Sequence, residues 1–346
     1  MSTPHPHRAA AWLHEEQREA VRRMSRGWLW RSEAPTWLLI VFLYSGWFTT
    51  LAYAPSLGLP LSTLLLIVFT AWYLSLQHEL IHGHPTRWAR VNQLFGLPPL
   101  AVWFPYGLYR DSHLAHHRNE SLTLPEDDPE TYYFSAATWA RFSPWQRQVV
   151  RWRNTFVGRL LLAPALDIVG VIQGIVRALI RRDYPAIGMW ATHAMLLMLL
   201  FLWIAHCGVS VLWYLFAVSY PALAITKVRS FLEHRAADDP LARSVINEAG
   251  LPWRLLFLNL NYHSIHHDLP GIPWYGLPAL YRRYQQAYQQ RNQGFVVNGY
   301  RAWWRRYGFR PVDVTVHPAS QAFAEEDVND ALEHRVSYVR SAPARD

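Results

Sequence analysis

Most of the chemistry-bearing residues of this 346-residue chain lie in three short histidine stretches. His78-Glu79-Leu-Ile-His82 is HxxxH, with His84 two residues on; His113-Leu-Ala-His116-His117 and His263-Ser-Ile-His266-His267 are both HxxHH. On a helix, residues three or four apart share a face, with Cβ atoms roughly 5–6 Å apart, so each box brings imidazoles together. Imidazole suits zinc, copper, iron or nickel. Eight histidines at such spacing exceed the four ligands of a tetrahedral zinc site, and a two-metal centre is the economical reading. One box alone reads equally well as surface or core histidine; three on one side of a membrane do not.

The elements that must position these boxes are apolar. Trp37–Tyr53 holds 17 residues without a charge and Leu57–Gln77 another 21, joined by Ala54-Pro55-Ser56. Ala186–His206 and Val209–Thr226 repeat the plan around Cys207-Gly208. At about 1.5 Å per residue, each segment is close to the length that crosses roughly 30 Å of hydrocarbon. Two hairpins therefore make four expected spans. Leu94–Tyr109, with three prolines, reads as re-entrant or interfacial, and Thr155–Ile180, interrupted by Arg159, Asp167 and Arg177, as an interfacial helix. Trp12–Arg31 reads as an interfacial or soluble amphipathic helix. Residues 318–346 read as a tail or short surface helix, and no signal peptide is expected because Arg and Glu interrupt the early apolar stretches.

Charge sorts with this arrangement. The 33 basic residues fall six in residues 1–36, twelve in 83–185 and fifteen in 227–346, with none in either hairpin linker. The positive-inside rule places all three basic regions in the cytoplasm, and with them both termini and the three boxes. The net charge of +8 thus reads as topology rather than as a nucleic-acid signal. The single cysteine excludes an intramolecular disulfide and a cysteine-ligated zinc module.

The boxes and the two hairpins resemble the integral-membrane fatty acid desaturase and hydroxylase superfamily over roughly residues 35–290. The flanks agree: Asp127-Asp-Pro-Glu130 follows the second box, and Asn261-Tyr-His-Ser-Ile-His-His267 runs on to Leu269-Pro270 and Ile272-Pro-Trp274. The resemblance implies an all-α membrane protein with four transmembrane helices under a cytoplasmic helical cap. It divides the chain into an N-terminal segment (1–36), a membrane domain (37–290) and a C-terminal extension (291–346), with a bacterial inner membrane as the expected setting. It also implies a histidine-ligated pair of iron ions. The implied ligands are His78, His82, His113, His116, His117, His263, His266 and His267, with an isolated histidine upstream of the third box, His234. Glu79, Glu233 and Asp268, each next to a proposed ligand, are candidate partners for the second ring nitrogens or members of ion pairs with Arg. Asn259 and Asn261 are candidate orienting residues. His84, off the ligand face, is expected beside the site or on the surface, His193 in a polar core contact, His206 at the interface, and His5, His7, His14, His317 and His334 on the surface.

The chemistry implied is reductive O₂ activation for removal of hydrogen from an unactivated C–H bond of a long-chain acyl substrate held among membrane lipid. A second hydrogen removal gives an alkene; the alternatives are hydroxylation, or oxidative decarboxylation to a terminal alkene. Electrons must come from a separate ferredoxin-, rubredoxin- or cytochrome-like donor and its reductase, because one cysteine cannot ligate an iron–sulfur cluster. Trp72, Trp103 and Trp274 are candidates for lining the substrate tunnel. Two other classes compete. His78-Glu79-Leu-Ile-His82 also matches the HExxH zinc-protease signature, which leaves both HxxHH boxes unexplained. A metal transporter needs ligands near mid-bilayer, where only His193 is expected.

Overall fold

The computed structural model describes residues 10–117, 121–312 and 315–318. His5, His7, His334 and the tail beyond residue 318, for which the sequence carries expectations, lie outside them. The architecture is almost wholly helical; the one small sheet among the described residues pairs Ile246–Asn247 in parallel with Val296–Val297.

Five helices are long and apolar enough to cross a membrane: Ala34–Ala52, Leu59–Ile81, Ala163–Arg181, Tyr184–His206 and Val211–Arg229. Four correspond to the expected spans. The fifth, Ala163–Arg181, corrects the reading of Thr155–Ile180 as one interrupted stretch. A short helix, Phe156–Leu161, ends before it, and the 19 residues that remain are continuous. Proline stands in the first turn of Ala34–Ala52, Leu59–Ile81, Ala163–Arg181 and Tyr184–His206, where its missing N–H costs nothing. Asp183 caps Tyr184–His206 by accepting from the Ala186 N–H.

The helices divide their residues between protein and lipid. Leu43, Trp47, Leu51, Leu66, Tyr73 and Tyr214 form a buried seam, while Leu38, Phe42, Leu64, Leu199 and Phe216 point outward and are exposed. Gly46 permits the closest approach in the first hairpin, since a Cβ there would lie 2.2 Å from Phe69. The two hairpin turns meet at one end, where Gly208 lies against Pro55. The opposite end carries the boxes.

The proline-rich segment between the first two boxes is threaded among the spans. Its carbonyls are taken up one after another by side chains of the long helices. Tyr44 donates to Phe95 O and Tyr73 to Gly96 O, each at 2.6 Å; Tyr214 donates to Leu100 O at 2.6 Å and Ser219 to Ala101 O at 2.7 Å. His193 Nε2 is 2.7 Å from Val102 O, the polar core contact expected of it. Irregular backbone at membrane depth is tolerated where protein satisfies it in this way. Tyr214–Ser219 is a π-helical turn within Val211–Arg229, and the extra residue per turn presents both its first and last side chains to this segment.

Two further clusters build the cap. Ala20 and Val21, from the helix Glu15–Ser25, pack with Ile265, Leu277, Tyr281 and Tyr288. Phe156, Phe231, Phe257, Tyr300 and Trp303 form the other. Arg291 ties the N-terminal segment down by donating to the carbonyls of Ala11 and Trp12 and to Asp268.

Candidate metal centre

Each box reaches the centre on a helix end. His78 lies in the last turn of Leu59–Ile81 with His82 as its C-cap, so the two rings lie on one face, tilted to each other, with centroids 4.7 Å apart. His113 and His116 close the helix Tyr106–His116, and His117 caps it. His263, His266 and His267 occupy one short helix, His263–Asp268, pinned by the Ser264 N–H donating to Val245 O. His234 follows the last long helix in a turn bridged to Ser244.

The structure brings all nine of these histidines into two groups. His78, His82, His113, His117 and His266 form one; His116, His234, His263 and His267 form the other, with candidate ligand atoms within 4.8 Å of one another in each. The HxxHH boxes are split between the groups. His113 and His117 face one way and His116 the other; His266 joins the first group and its neighbours the second. His117 and His267 stack across the divide with centroids 4.2 Å apart.

The ring nitrogens make the case for cations. Nε2 of His113 stands 3.1 Å from Nε2 of both His82 and His117, and His266 Nε2 is 3.1 Å from His117 Nε2. In the other group His234 Nε2 is 3.0 Å from His116 Nε2 and 2.9 Å from His263 Nε2. His78 is completely buried with neither ring nitrogen hydrogen-bonded. Orphaned buried imidazole is costly, and convergent lone pairs are relieved by a shared positive ion. Burial, and then the neighbouring imidazoles, hold His117, His263 and His267 well below the usual histidine range. Neutral imidazole is the form that ligates metal. The residues therefore fit a metal in each group.

Carboxylates hold some of the rings from behind. Asp128 Oδ1 is 2.8 Å from His116 Nδ1, and Glu130 Oε2 is 3.4 Å from His113 Nδ1. Burial lowers the His116 pKa, but Glu130 and Asp128 outweigh it and the net shift is upward. Glu130 is moved the other way: burial raises it, yet His113, His116 and Arg229 bring it well below the usual carboxylate range. Neither acid was among the sequence-derived partners, although both lie in the Asp127–Glu130 segment that carries the family resemblance.

The acids singled out by adjacency behave differently. Glu79 is 3.8 Å from His78 Nδ1, too far for a hydrogen bond, and instead accepts from the Trp274 N–H at 3.1 Å. Glu233 lies 3.7 Å from His263 Nδ1 and 3.4 Å from Arg229. Asp268 accepts from Arg291 at 2.8 Å, so the ion-pair reading holds for it. Asn259 accepts from Arg254 and donates to Trp274 O, bracing a loop whose backbone there is left-handed. Asn261 donates to Asn247 O at 2.6 Å, fixing the strand beneath the third box. Ser244 Oγ, 3.3 Å from His234 Nδ1, is a partner sequence reasoning missed.

Of two further histidines, the first takes one of its two expected placements, off the surface, and the second differs from expectation. His84 is buried, with Nδ1 2.7 Å from Glu33. His317, read as surface, is 2% exposed with Nε2 3.0 Å from Thr123 Oγ1. A local sequence window could not reveal either, because the partners lie 51 and 194 residues away.

A cavity of about 740 Å³ runs from His116 and His234 past Tyr109 and Leu108 to Met189 and Trp190. Trp72, Trp103 and Trp274 are not on its wall. Trp72 donates instead to Leu255 O at 2.8 Å, and Trp103 packs against the span seam.

The HExxH protease reading does not suit this arrangement: Glu79 is engaged by backbone, and His78 and His82 are joined by three further imidazoles. Residues 54–298 match the family model for fatty acid desaturase. A comparison with curated protein sequences finds no match. The matched region covers more than half of the chain and encloses both histidine groups, so the protein belongs to the fatty acid desaturase family and is an oxidoreductase.

Proposed function

We propose that the protein is a membrane-bound, O₂-dependent di-iron acyl desaturase, and the observation that carries this is the division of nine histidines into two facing groups. Iron bound by the two groups supplies reductive activation of O₂ and removal of hydrogen from an unactivated C–H bond. The chain's own residues supply the rest. His78, His82, His113, His117 and His266 offer one nitrogen set; His116, His234, His263 and His267 offer the other. Asp128 and Glu130 hold the rings of His116 and His113 so that Nε2 faces inward. Burial of all the rings except the half-buried His82 and His234 keeps water from the reacting face. The cavity falls within the range of roughly 300–1,000 Å³ typical of ligand pockets, and its apolar wall suits an alkyl chain.

The membrane arrangement belongs to the same proposal. Four helices cross, and Ala163–Arg181 lies along the surface on the box side. Its first turns are tied there by the Asp167–Lys227 ion pair, and its end leads through Asp183 into the box-side start of Tyr184–His206. Leu166, Gly170, Gly174 and Ala178 face the cavity, whereas Val169, Ile172, Val176 and Ile180 are exposed on the other side. That division suits a helix half-sunk in lipid. The basic regions then face the cytoplasm, where a separate electron donor docks.

Metal analysis of the purified protein, with lipid and volatile-product profiling of expressing cells beside a His266→Ala variant, tests the reading. About two irons per chain and a new in-chain alkene, absent in the variant, are expected. A new alcohol or terminal alkene would assign the alternative products of the same fold, and one zinc without iron would overturn the proposal.

A further inference from the structure

The cavity carries a group of cations for which the oxygen chemistry has no use. Its wall includes Arg153, Arg159 and Lys227, with Tyr132 and Asp167 among them. Asp167 already pairs with Lys227, whereas Arg153 and Arg159 make no ion pair among the described residues. Arg159 is 3% exposed, and its Nε and Nη1 have no hydrogen-bond partner. Its Nη2 reaches the Phe231 carbonyl only at 3.5 Å, and its guanidinium lies 3.4 Å above the Tyr132 ring. Arg153 donates from Nη2 to the Tyr132 carbonyl at 3.3 Å, which leaves its buried Nε open.

Charged donors without partners are expensive to bury unless a counter-charge completes them. The surplus positive charge is felt by its neighbours. Burial raises the Tyr132 phenol, yet Lys227 and Arg159 outweigh it and the pKa falls below its ordinary value. Burial and then the Arg159 charge bring Arg153 down to about 10. Closer to the histidines the charges are matched: Arg229 pairs with Glu233 at 3.4 Å, and Glu130 faces His113.

We propose that this recess is the head-group site of the acyl substrate and that it takes a free carboxylate, with Arg159 and Lys227 meeting its oxygens. The proposal rests on the acyl-substrate reading above and names the carrier that reading leaves open. Among the carriers an acyl chain can have, only the free acid bears negative charge on the acyl terminus itself. A thioester or glycerolipid ester presents one neutral carbonyl there, which leaves the cations uncompensated. The planar guanidinium of Arg159, with donors on adjacent edges, matches the two oxygens of a carboxylate.

Equilibrium binding of palmitic acid, methyl palmitate and palmitoyl coenzyme A to the purified, metal-loaded protein tests this, with Arg159→Gln, Arg159→Lys and Arg153→Gln beside the wild type. Palmitic acid is expected to bind most tightly. Arg159→Gln should weaken it about ten- to a hundredfold while leaving the methyl ester within about twofold, and Arg159→Lys should recover part of the loss. Should Arg159→Gln fail to fold, Arg153→Gln gives the same split at smaller size. Equal loss of acid and ester would mean a purely structural role and overturn the proposal; so would tighter binding of the thioester, or wild-type protein that does not separate acid from ester. Iron content of the same samples keeps the two readings apart. Acid preference without iron leaves the carboxylate site standing and removes the oxygen chemistry; two irons without acid preference remove the site alone.

Discussion

Asp128 holds three partners at once. It lies 2.8 Å from His116 Nδ1 and accepts from the backbone N–H groups of Thr123 and Glu130 at 2.8 and 2.9 Å. Asp128→Asn keeps the shape but removes the charge behind His116, and metal affinity of the four-histidine group should fall about 10–100-fold, read by chelator competition. Unchanged affinity would mean His116 is held by geometry alone. The buried rings also predict how the metal-free protein responds to acid. His117, His234, His263, His266 and His267 have folded-state pKa values depressed by burial, so they bind protons more weakly folded than unfolded. Their contribution is intact above the unfolded value near 6.5 and is lost as pH falls below it. The thermal midpoint of the metal-free protein should therefore drop between pH 7.5 and 5.5, and a flat profile would contradict this. Eight of the nine clustered histidines were legible in the sequence because box spacing is local, whereas His234 stands in no box and was reached only through the family resemblance. The carboxylates behind them were not: adjacency pointed to Glu79 and Asp268, whereas the contacts to His116 and His113 come from Asp128 and Glu130, 12 and 17 residues away.

At the scale of elements, the segment Leu94–Tyr109 sets the height of the second box, because it leads directly into the helix Tyr106–His116. It keeps its course through carbonyls bonded to side chains of neighbouring spans. Tyr214→Phe removes the donor to Leu100 O and leaves that carbonyl unpaired in a fully buried position. A loss of about 1–3 kcal/mol is expected, measured as unfolding in detergent, with the histidines themselves untouched. No loss would mean that water or another group takes over the carbonyl. Three prolines announce in the sequence that this segment is not a regular helix. Its hydrogen bonds to the spans could not be read there, since they join residues from 19 to 118 positions apart. The helix Ala163–Arg181 was obscured for a different reason. Its polar residues suggested interruption, whereas in the fold the helix is continuous and Asp167 and Arg177 both line the cavity.

For the whole molecule, the sidedness of that helix decides between four crossings and five. With Cys207 replaced by Ser, single cysteines introduced at Arg151 and Arg182 should label from the same side of the membrane, and labelling from opposite sides would make Ala163–Arg181 a crossing helix. The distribution of basic residues already marked the box-bearing end, and the contact between the two hairpin turns agrees with it. The split of the boxes also fixes an order of manufacture. Neither histidine group is complete until residues 263–267 have been made, and the N-terminal residues Ala11 and Trp12 find their clasp only at Arg291. A ribosome-bound chain therefore carries its spans into the bilayer with both pockets open. Both histidine groups are whole only in the finished polypeptide, and among the first described residues to leave the ribosome are those that Arg291 fastens last.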